Sequence, residues 1–415
     1  MRIRKFINPH YYFILFTVLF SCNGNKENTQ PTQSEKDYPK GTYGYDAAFL
    51  KKHLSSVIEL QDEAGNAKLL LSADYQGRVM TTTAGGDSST SFGWLNYELL
   101  SAKQKKSQFN PVGGEERFWI GPEGGQFSIY FKKGDSFDIA HWQVPAVIDT
   151  LSYDVLQSDK SSAVFSKKAT LTNYSGTEFN INIERKVSLI TKEQIAQKIN
   201  LFIPANINTV GFKTINKITN TGNNNWSKET GLLSIWLLGM FTPSPQTTVL
   251  IPFHPFPNSR SYITDNYFGQ IPPERLVVKD SVLYFTCDGK YRSKIGLSPL
   301  IAKPVAASFD FQNNVLTLIL PQVEKDASYV NSKWEIQKQP YKGDVINSYN
   351  DGTLADGTQM GPFYEIESSS PALGLNKNQT GEYEQSTIHL QGDYNILKQI
   401  TRQILSIDLD SINKK

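Results

Sequence analysis

Two glutamates stand two residues apart in the segment Phe363-Tyr364-Glu365-Ile366-Glu367, between Gly361-Pro362 and a Ser368-to-Pro371 stretch. Aromatic and β-branched residues bounded by Gly, Pro and Ser read as a strand. Side chains alternate along a strand, so Glu365 and Glu367 project from one face with Phe363, and Tyr364 and Ile366 from the other. That face is either in water or lines a site. Neighbouring carboxylates in a partly buried cleft cannot both ionise freely, and one then titrates near neutral pH, where an acid or base is useful. Glu367 is the expected base, because it stands where the strand end opens at the Ser368 turn.

Three other stretches carry residue types suited to chemistry. In GGEERFWIGPEGGQFSIYF (113–131), two Gly-Gly pairs flank Arg117 and Trp119. A guanidinium offers a planar fork of donors, and paired glycines allow close backbone approach. The plain alternative is a β-bulge with a surface ion pair. In DIAHWQVPAVID (138–149), His141, Trp142 and Gln143 stand together before Pro145. An aromatic platform beside an amide and a titratable ring is a combination that binds sugars. In IPFHPFPNSRSY (251–262), Pro252, Pro255 and Pro257 stiffen a connection that displays His254, a residue able to move protons near neutral pH. Glu367 and Glu365 are thus catalytic candidates, with His254 and His141 as acid partners. Arg117, Trp119, Trp142 and Gln143 are candidate substrate contacts.

Several chemistries find no motif. The sequence has no G-x-x-x-x-G-K-[ST] loop, no H-E-x-x-H and no G-x-S-x-G elbow. Cys22 and Cys287 are its two cysteines, which rules out the usual cysteine-ligand zinc sites. No cofactor and no metal is expected.

The elements that must position these residues read as β. Runs at Lys68–Ser72, Phe127–Phe131, Glu178–Ile190, Val210–Ile218, Thr247–Phe253, Leu276–Phe285, Ala306–Phe311, Asn314–Leu320 and Thr387–Leu390 alternate or are β-branched. Turn clusters such as DEAGNA, YSGT and NDGT separate them. Two helices are expected at the ends. One runs from Tyr45 to Leu54 with Asp46 as N-cap, and the other from Asp393 to Leu405 with Asp393 as cap. The reading is one large antiparallel β domain over 45–412 with short terminal helices.

The order of short motifs resembles the galactose mutarotase-like superfamily, the aldose 1-epimerase type. Leu69-to-Met80 (LLLSADYQGRVM), Gly85-Gly86 and Phe92-Gly93-Trp94-Leu95-Asn96 are similar to its opening strands. Gly114-to-Glu123 looks like its Gly-Gly…Trp…Pro-Glu stretch. Ile218-Thr219-Asn220 with Trp226 and Trp236, and Gly381-Glu382 leading to His389, look like its middle and closing strands. The resemblance implies an all-β supersandwich with a carbohydrate site on a concave face. It implies Glu367 or Glu365 as the base for the anomeric hydroxyl and His254 or His141 as the acid for the ring oxygen. The epimerases' Asn-x-x-x-x-Arg and paired-histidine motifs are absent from their usual context. The expectation is an epimerase, lyase or hydrolase-type carbohydrate enzyme. The alternatives are a non-catalytic glycan-binding protein and a structural envelope protein.

Ahead of the domain, Arg2, Arg4 and Lys5 precede the apolar run YYFILFTVLF (11–20) and then Ser21-Cys22. This resembles the lipoprotein signal of bacteria, with residues 1–22 as signal peptide and Cys22 acylated, palmitate included. Residues 23–44 read as a disordered polar tether. A monomer lipid-anchored to the outer membrane of a Gram-negative envelope is expected. Removing the three basic leader residues leaves 39 Lys+Arg against 40 Asp+Glu. That balance argues against a nucleic-acid partner.

Overall fold

Alternation in Glu178–Leu189 sends Phe179, Ile181, Ile183 and Val187 to one face, and all four are buried there. Strands of this kind assemble three antiparallel sheets in the computed structural model, which describes residues 37–102, 104–354 and 356–412. The leader, Cys22 and residues 23–36 of the expected tether lie outside the described residues. The largest sheet has ten strands. Its central strands, Val315–Pro321, Thr380–Gln391 and Asn208–Asn220, are neighbours in that order. A six-stranded sheet includes, as successive neighbours, Ser293–Leu297, Ile346–Asn350, Tyr364–Ser369, Ser234–Phe241 and Arg117–Gly121. A three-stranded sheet, Val57–Gln61, Lys68–Ser72 and Arg78–Thr83, completes the set.

The two larger sheets share one apolar layer. Val249, Ile251 and Phe285 from the ten-stranded sheet pack with Ile295, Tyr364 and Ile366 from the six-stranded one. The opposite face of the ten-stranded sheet is covered by the C-terminal helix Tyr394–Leu405, whose Leu397, Ile400 and Leu405 join Leu316, Leu318 and Ile388. Asp393 caps that helix, accepting from the Ile396 N–H at 3.1 Å.

Several expectations are corrected. The first helix is Tyr43–His53, two residues earlier than expected, and Tyr43 is fully buried, so residues 38–44 belong to the folded unit rather than to a tether. Asp46 lies inside that helix and serves as an acceptor for Ser91 and Tyr97 instead of as a cap. Leu276–Phe285 is a hairpin of two strands, Leu276–Lys279 and Val282–Thr286. It turns at Asp280 and Ser281, both of positive φ (50 and 60°). Phe127–Phe131 is irregular: a turn closes from the Ser128 N–H to the Gly125 carbonyl, and Ile129, Tyr130 and Phe131 enter the core from a loop.

Candidate active site

Register decides which side chains share the face of Glu365 and Glu367. Glu367 pairs with Leu238 on one side and Asn347 on the other, and Leu238 pairs with Arg117. Glu365 pairs with Met240 and with Tyr349, and Tyr349 pairs with Lys294. Directly opposed residues in a sheet point the same way. Arg117, Trp119, Trp236, Lys294, Glu365 and Glu367 therefore stand on one face, turned away from the apolar layer that takes Tyr364 and Ile366. The face is not in bulk water. Glu365 is 6% exposed, Glu367 1% and Arg117 3%.

The pairing is diagonal. An Arg117 Nη2 donates to Glu365 Oε1, while Lys294 Nζ donates to Glu367 Oε2 at 2.9 Å. Trp236 Nε1 donates to the same Glu367 oxygen at 3.0 Å. Cations lie over rings on both sides: Arg117 is 4.7 Å from the centre of Trp119, and Lys294 5.1 Å from that of Trp236. Upstream of Arg117, where the chain passes close to Trp94, glycine is required at 113: φ is +95° and a Cβ would stand 2.0 Å from the Trp94 carbonyl oxygen.

Glu123 is a third carboxylate of the group. It follows Gly121-Pro122, and its neighbours are Lys294, Glu367 and the indoles of Trp334 and Trp142. Burial pushes Glu123 up to about 7, with the charge of Glu367 adding to the effect and Lys294 opposing it. Glu365 is likewise pushed up to about 7, first by burial, then with Arg117 pulling down and Glu367 pushing up. Lys294 is held above its ordinary value: burial lowers it, and Glu367 and Glu123 outweigh that. The group thus holds two carboxyls raised toward neutral pH, Glu123 and the Arg117-bound Glu365, beside Glu367, which is tied to Lys294.

Aromatic rings wall the group. Trp119 meets Trp236 edge-on at 5.5 Å, Phe109 touches both Trp119 and Trp142, and Trp142 stacks with Trp334 at 5.9 Å. Three buried polar atoms here have no hydrogen-bond partner, Glu367 Oε1, Arg117 Nε and the Trp119 indole nitrogen, while the Trp142 indole hydrogen-bonds Glu123. Such atoms are uncommon in a folded interior and call for an explanation.

The structure thus brings Glu365, Glu367, Arg117, Trp119 and Trp142 to one place. It does not bring the histidines there. His254 is exposed; its backbone N–H bonds the Ile301 carbonyl at 2.7 Å, and no described hydrogen bond, ion pair or ring contact joins its imidazole to the carboxylates. The prolines stiffen the loop but aim it outward. His141 is exposed on a turn and pairs with Asp138 at 2.7 Å. Gln143 is also exposed, donating to the Ser107 carbonyl at 3.2 Å. The buried histidine is His389, set between Thr317 (2.9 Å) and Glu115 (3.1 Å) in the layer between the sheets. Sequence reasoning missed Glu123, Lys294, Trp236 and Trp334. Glu123 alone carried a local signal, a carboxylate between Gly-Pro and Gly-Gly.

Among the described residues no cluster of three or more His, Cys, Asp or Glu is disposed to hold a metal ion. A hollow of about 890 Å³ opens elsewhere, lined by Phe92, Trp94, Tyr97, Tyr364 and His389. Its buried polar groups bond one another, Ser308 with Tyr364 at 2.8 Å and Thr317 with His389, so nothing there calls for a ligand as the carboxylate face does.

The architecture is an antiparallel β-sandwich similar to galactose mutarotase-like proteins, with a carboxylate-and-tryptophan group on one sheet. Similar solved structures include a candidate aldose 1-epimerase from Escherichia coli K12. It is 11% identical, with 80% of this chain and 98% of that one covered at a TM-score of 0.48. A galactose mutarotase-like protein from Lactobacillus casei ATCC 334 is 10% identical, covering 81% and 100% at 0.46. The Slr1438 protein from Synechocystis sp. PCC 6803 is 14% identical, covering 81% and 96% at 0.46. No curated protein matches the sequence. The chain belongs to the family of unknown function DUF6786, whose model matches residues 41–415.

Proposed function

We propose that the Glu365/Glu367 face binds a carbohydrate and acts on it by acid/base chemistry. The observation that carries this reading is a pair of unpartnered buried atoms: one carboxylate oxygen that must accept, on Glu367, and one indole N–H that must donate, on Trp119. A hydroxyl does both, donating to the first and accepting from the second. Several hydroxyls on a ring with C–H faces fit a site walled by tryptophan. On an aldose, Glu367 Oε1 would take the proton of the anomeric hydroxyl. A protonated Glu365 or Glu123 would give one to the ring oxygen as the ring C–O bond breaks and a carbonyl forms. Recyclisation reverses both transfers. The acid role expected of His254 or His141 thus passes to a carboxyl.

A second reading, a glycan-binding protein without turnover, draws on the pairing itself: Glu365 is tied to Arg117 and Glu367 to Lys294. Calorimetric titration with a panel of aldoses, together with NMR exchange between their anomers, tests both. Binding abolished by Glu367→Gln supports the site, and anomer exchange lost in the same variant supports catalysis. Binding with no exchange leaves the second reading standing, and binding indifferent to Glu367→Gln sinks the site. We also propose anchoring through an acylated Cys22 to a bacterial outer membrane. The basic, apolar and Ser-Cys order of residues 2–22 supports it.

A further inference from the structure

The turn 138–143 bounds a hollow of its own. Gln108, Ile139, His141, Trp142 and Gln143 line a cavity of about 470 Å³, within the roughly 300–1,000 Å³ of ligand sites. Trp142 stands between this hollow and the carboxylates. Its ring stacks on Trp334 beside Glu123, and it is also a wall of the hollow. Its indole hydrogen-bonds Glu123, which ties this wall to the carboxylate group.

We propose that the ligand is a glycan chain rather than a single sugar, with one residue on the carboxylate face and a neighbouring residue seated in the hollow beyond Trp142. This rests on the carbohydrate reading above. The turn is built to hold its shape. Asp138 Oδ1 accepts from the N–H groups of Ala140 (3.0 Å) and His141 (3.1 Å), and Gln108 Nε2 donates to the Trp142 carbonyl at 2.8 Å. With those contacts fixed, the outward groups are set as well. His141 lines the hollow and uses Nδ1 on Asp138, so Nε2 is the ring nitrogen left for a ligand. Gln143 bonds Ser107 through its amide nitrogen, which leaves its side-chain oxygen as an acceptor. Ile139, 63% exposed, supplies an apolar surface beside them. Among the described residues no Lys or Arg lines the hollow, and the groups that do suit a neutral occupant. An imidazole, an amide and an apolar edge suit a neutral sugar residue. Preformed subsites raise affinity by cutting the ordering cost of binding.

The test compares glucose, mannose, galactose and xylose with their β-1,4-linked tetrasaccharides, and with maltotetraose, by calorimetric titration of the soluble chain. At least one tetrasaccharide is expected to bind tenfold or more tighter than its monosaccharide. The double variant His141→Ala/Gln143→Ala, its fold checked by circular dichroism, is expected to bring that tetrasaccharide's Kd to within about twofold of the monosaccharide's. Monosaccharide binding with no gain from chain length overturns this inference and leaves the carbohydrate site intact. A gain that survives the double variant also overturns it. No binding by any member overturns both.

Discussion

Arg117 and Glu365 meet across an intervening strand: the two residues lie in different rows of the six-stranded sheet, and the guanidinium reaches diagonally to the carboxylate while stacking over Trp119. Lys294 and Glu367 make the opposite diagonal. Each cation thereby binds the carboxylate of the other's row, and the four charges lock the three strands between them. Breaking such a buried pair leaves a charge uncompensated, at a cost of roughly 3–5 kcal/mol. Arg117→Met is therefore expected to lose about that much stability in urea at pH 8. At pH 5 the loss should shrink, because Glu365, already pushed up to about 7, is protonated and has no charge to strand. Equal losses at both pH values would show that the pair carries no electrostatic role.

Glu123 gives a separate pH signature. Its folded value of about 7 lies above the ordinary carboxylate value. Between the two the folded chain binds more protons than the unfolded one, so stability falls as pH rises through that window. Glu123→Gln removes this contribution. Relative to the native chain, the variant is expected to gain up to about 2 kcal/mol at pH 8 and little at pH 4.5, the figure being reduced from the full shift because Glu123 is partly open to solvent. Thermal melts across pH 4.5–8 check it. A variant whose melting curve keeps the native slope would assign the titration to other groups.

Much of this arrangement was legible in the sequence. Period-two alternation placed Glu365 and Glu367 on one face, and the long strands at 178–190 and 210–218 read directly, because one face of each is apolar. Ser234–Phe241 did not. It is buried on both faces, so its sequence SIWLLGMF has no alternation to read, and with it went Trp236. The helix Lys192–Ile199 escaped although its capping box, Thr191 with Gln194, is a sequence signal, since only Ile195 of its side chains is buried. Lys294 sits in a five-residue strand without a pattern, and its place beside Glu367 is set by a sequence separation of 73 residues that no local rule reports. The histidines misled for a related reason. Proline rigidity says that His254 is held, but not where it points.

Cys22→Ala tests the proposed anchor. The native chain is expected in the membrane fraction as a form cleaved before residue 22, and the variant as an uncleaved precursor that carries no lipid. Metabolic labelling with palmitate, followed by fractionation, reads both features. Labelling that persists in the variant would reject Cys22 as the acylated residue.

The unpartnered indole of Trp119 offers the sharpest separation of stability from function. Trp119 is 4% exposed, and its N–H has no acceptor. Burying a donor unmet costs roughly 1–3 kcal/mol. Trp119→Phe deletes that donor while keeping an aromatic face under Arg117 and against Trp236. The smaller ring loses packing, and the two effects oppose each other, so stability should stay within about 1 kcal/mol of native. Sugar affinity should behave differently. If the N–H holds a hydroxyl, its loss removes one hydrogen bond, about 1 kcal/mol or roughly fivefold in Kd. Trp142→Phe should also weaken binding but, unlike Trp119→Phe, cost stability by breaking the hydrogen bond to Glu123. The double variant should lose less than the sum of the two singles if both indoles grip the same ring, since releasing either end lets the other relax. Calorimetry on the singles and the double, beside their melting curves, decides it. Stability that drops while affinity holds would make Trp119 a packing residue and move the hydroxyl contacts elsewhere on the face.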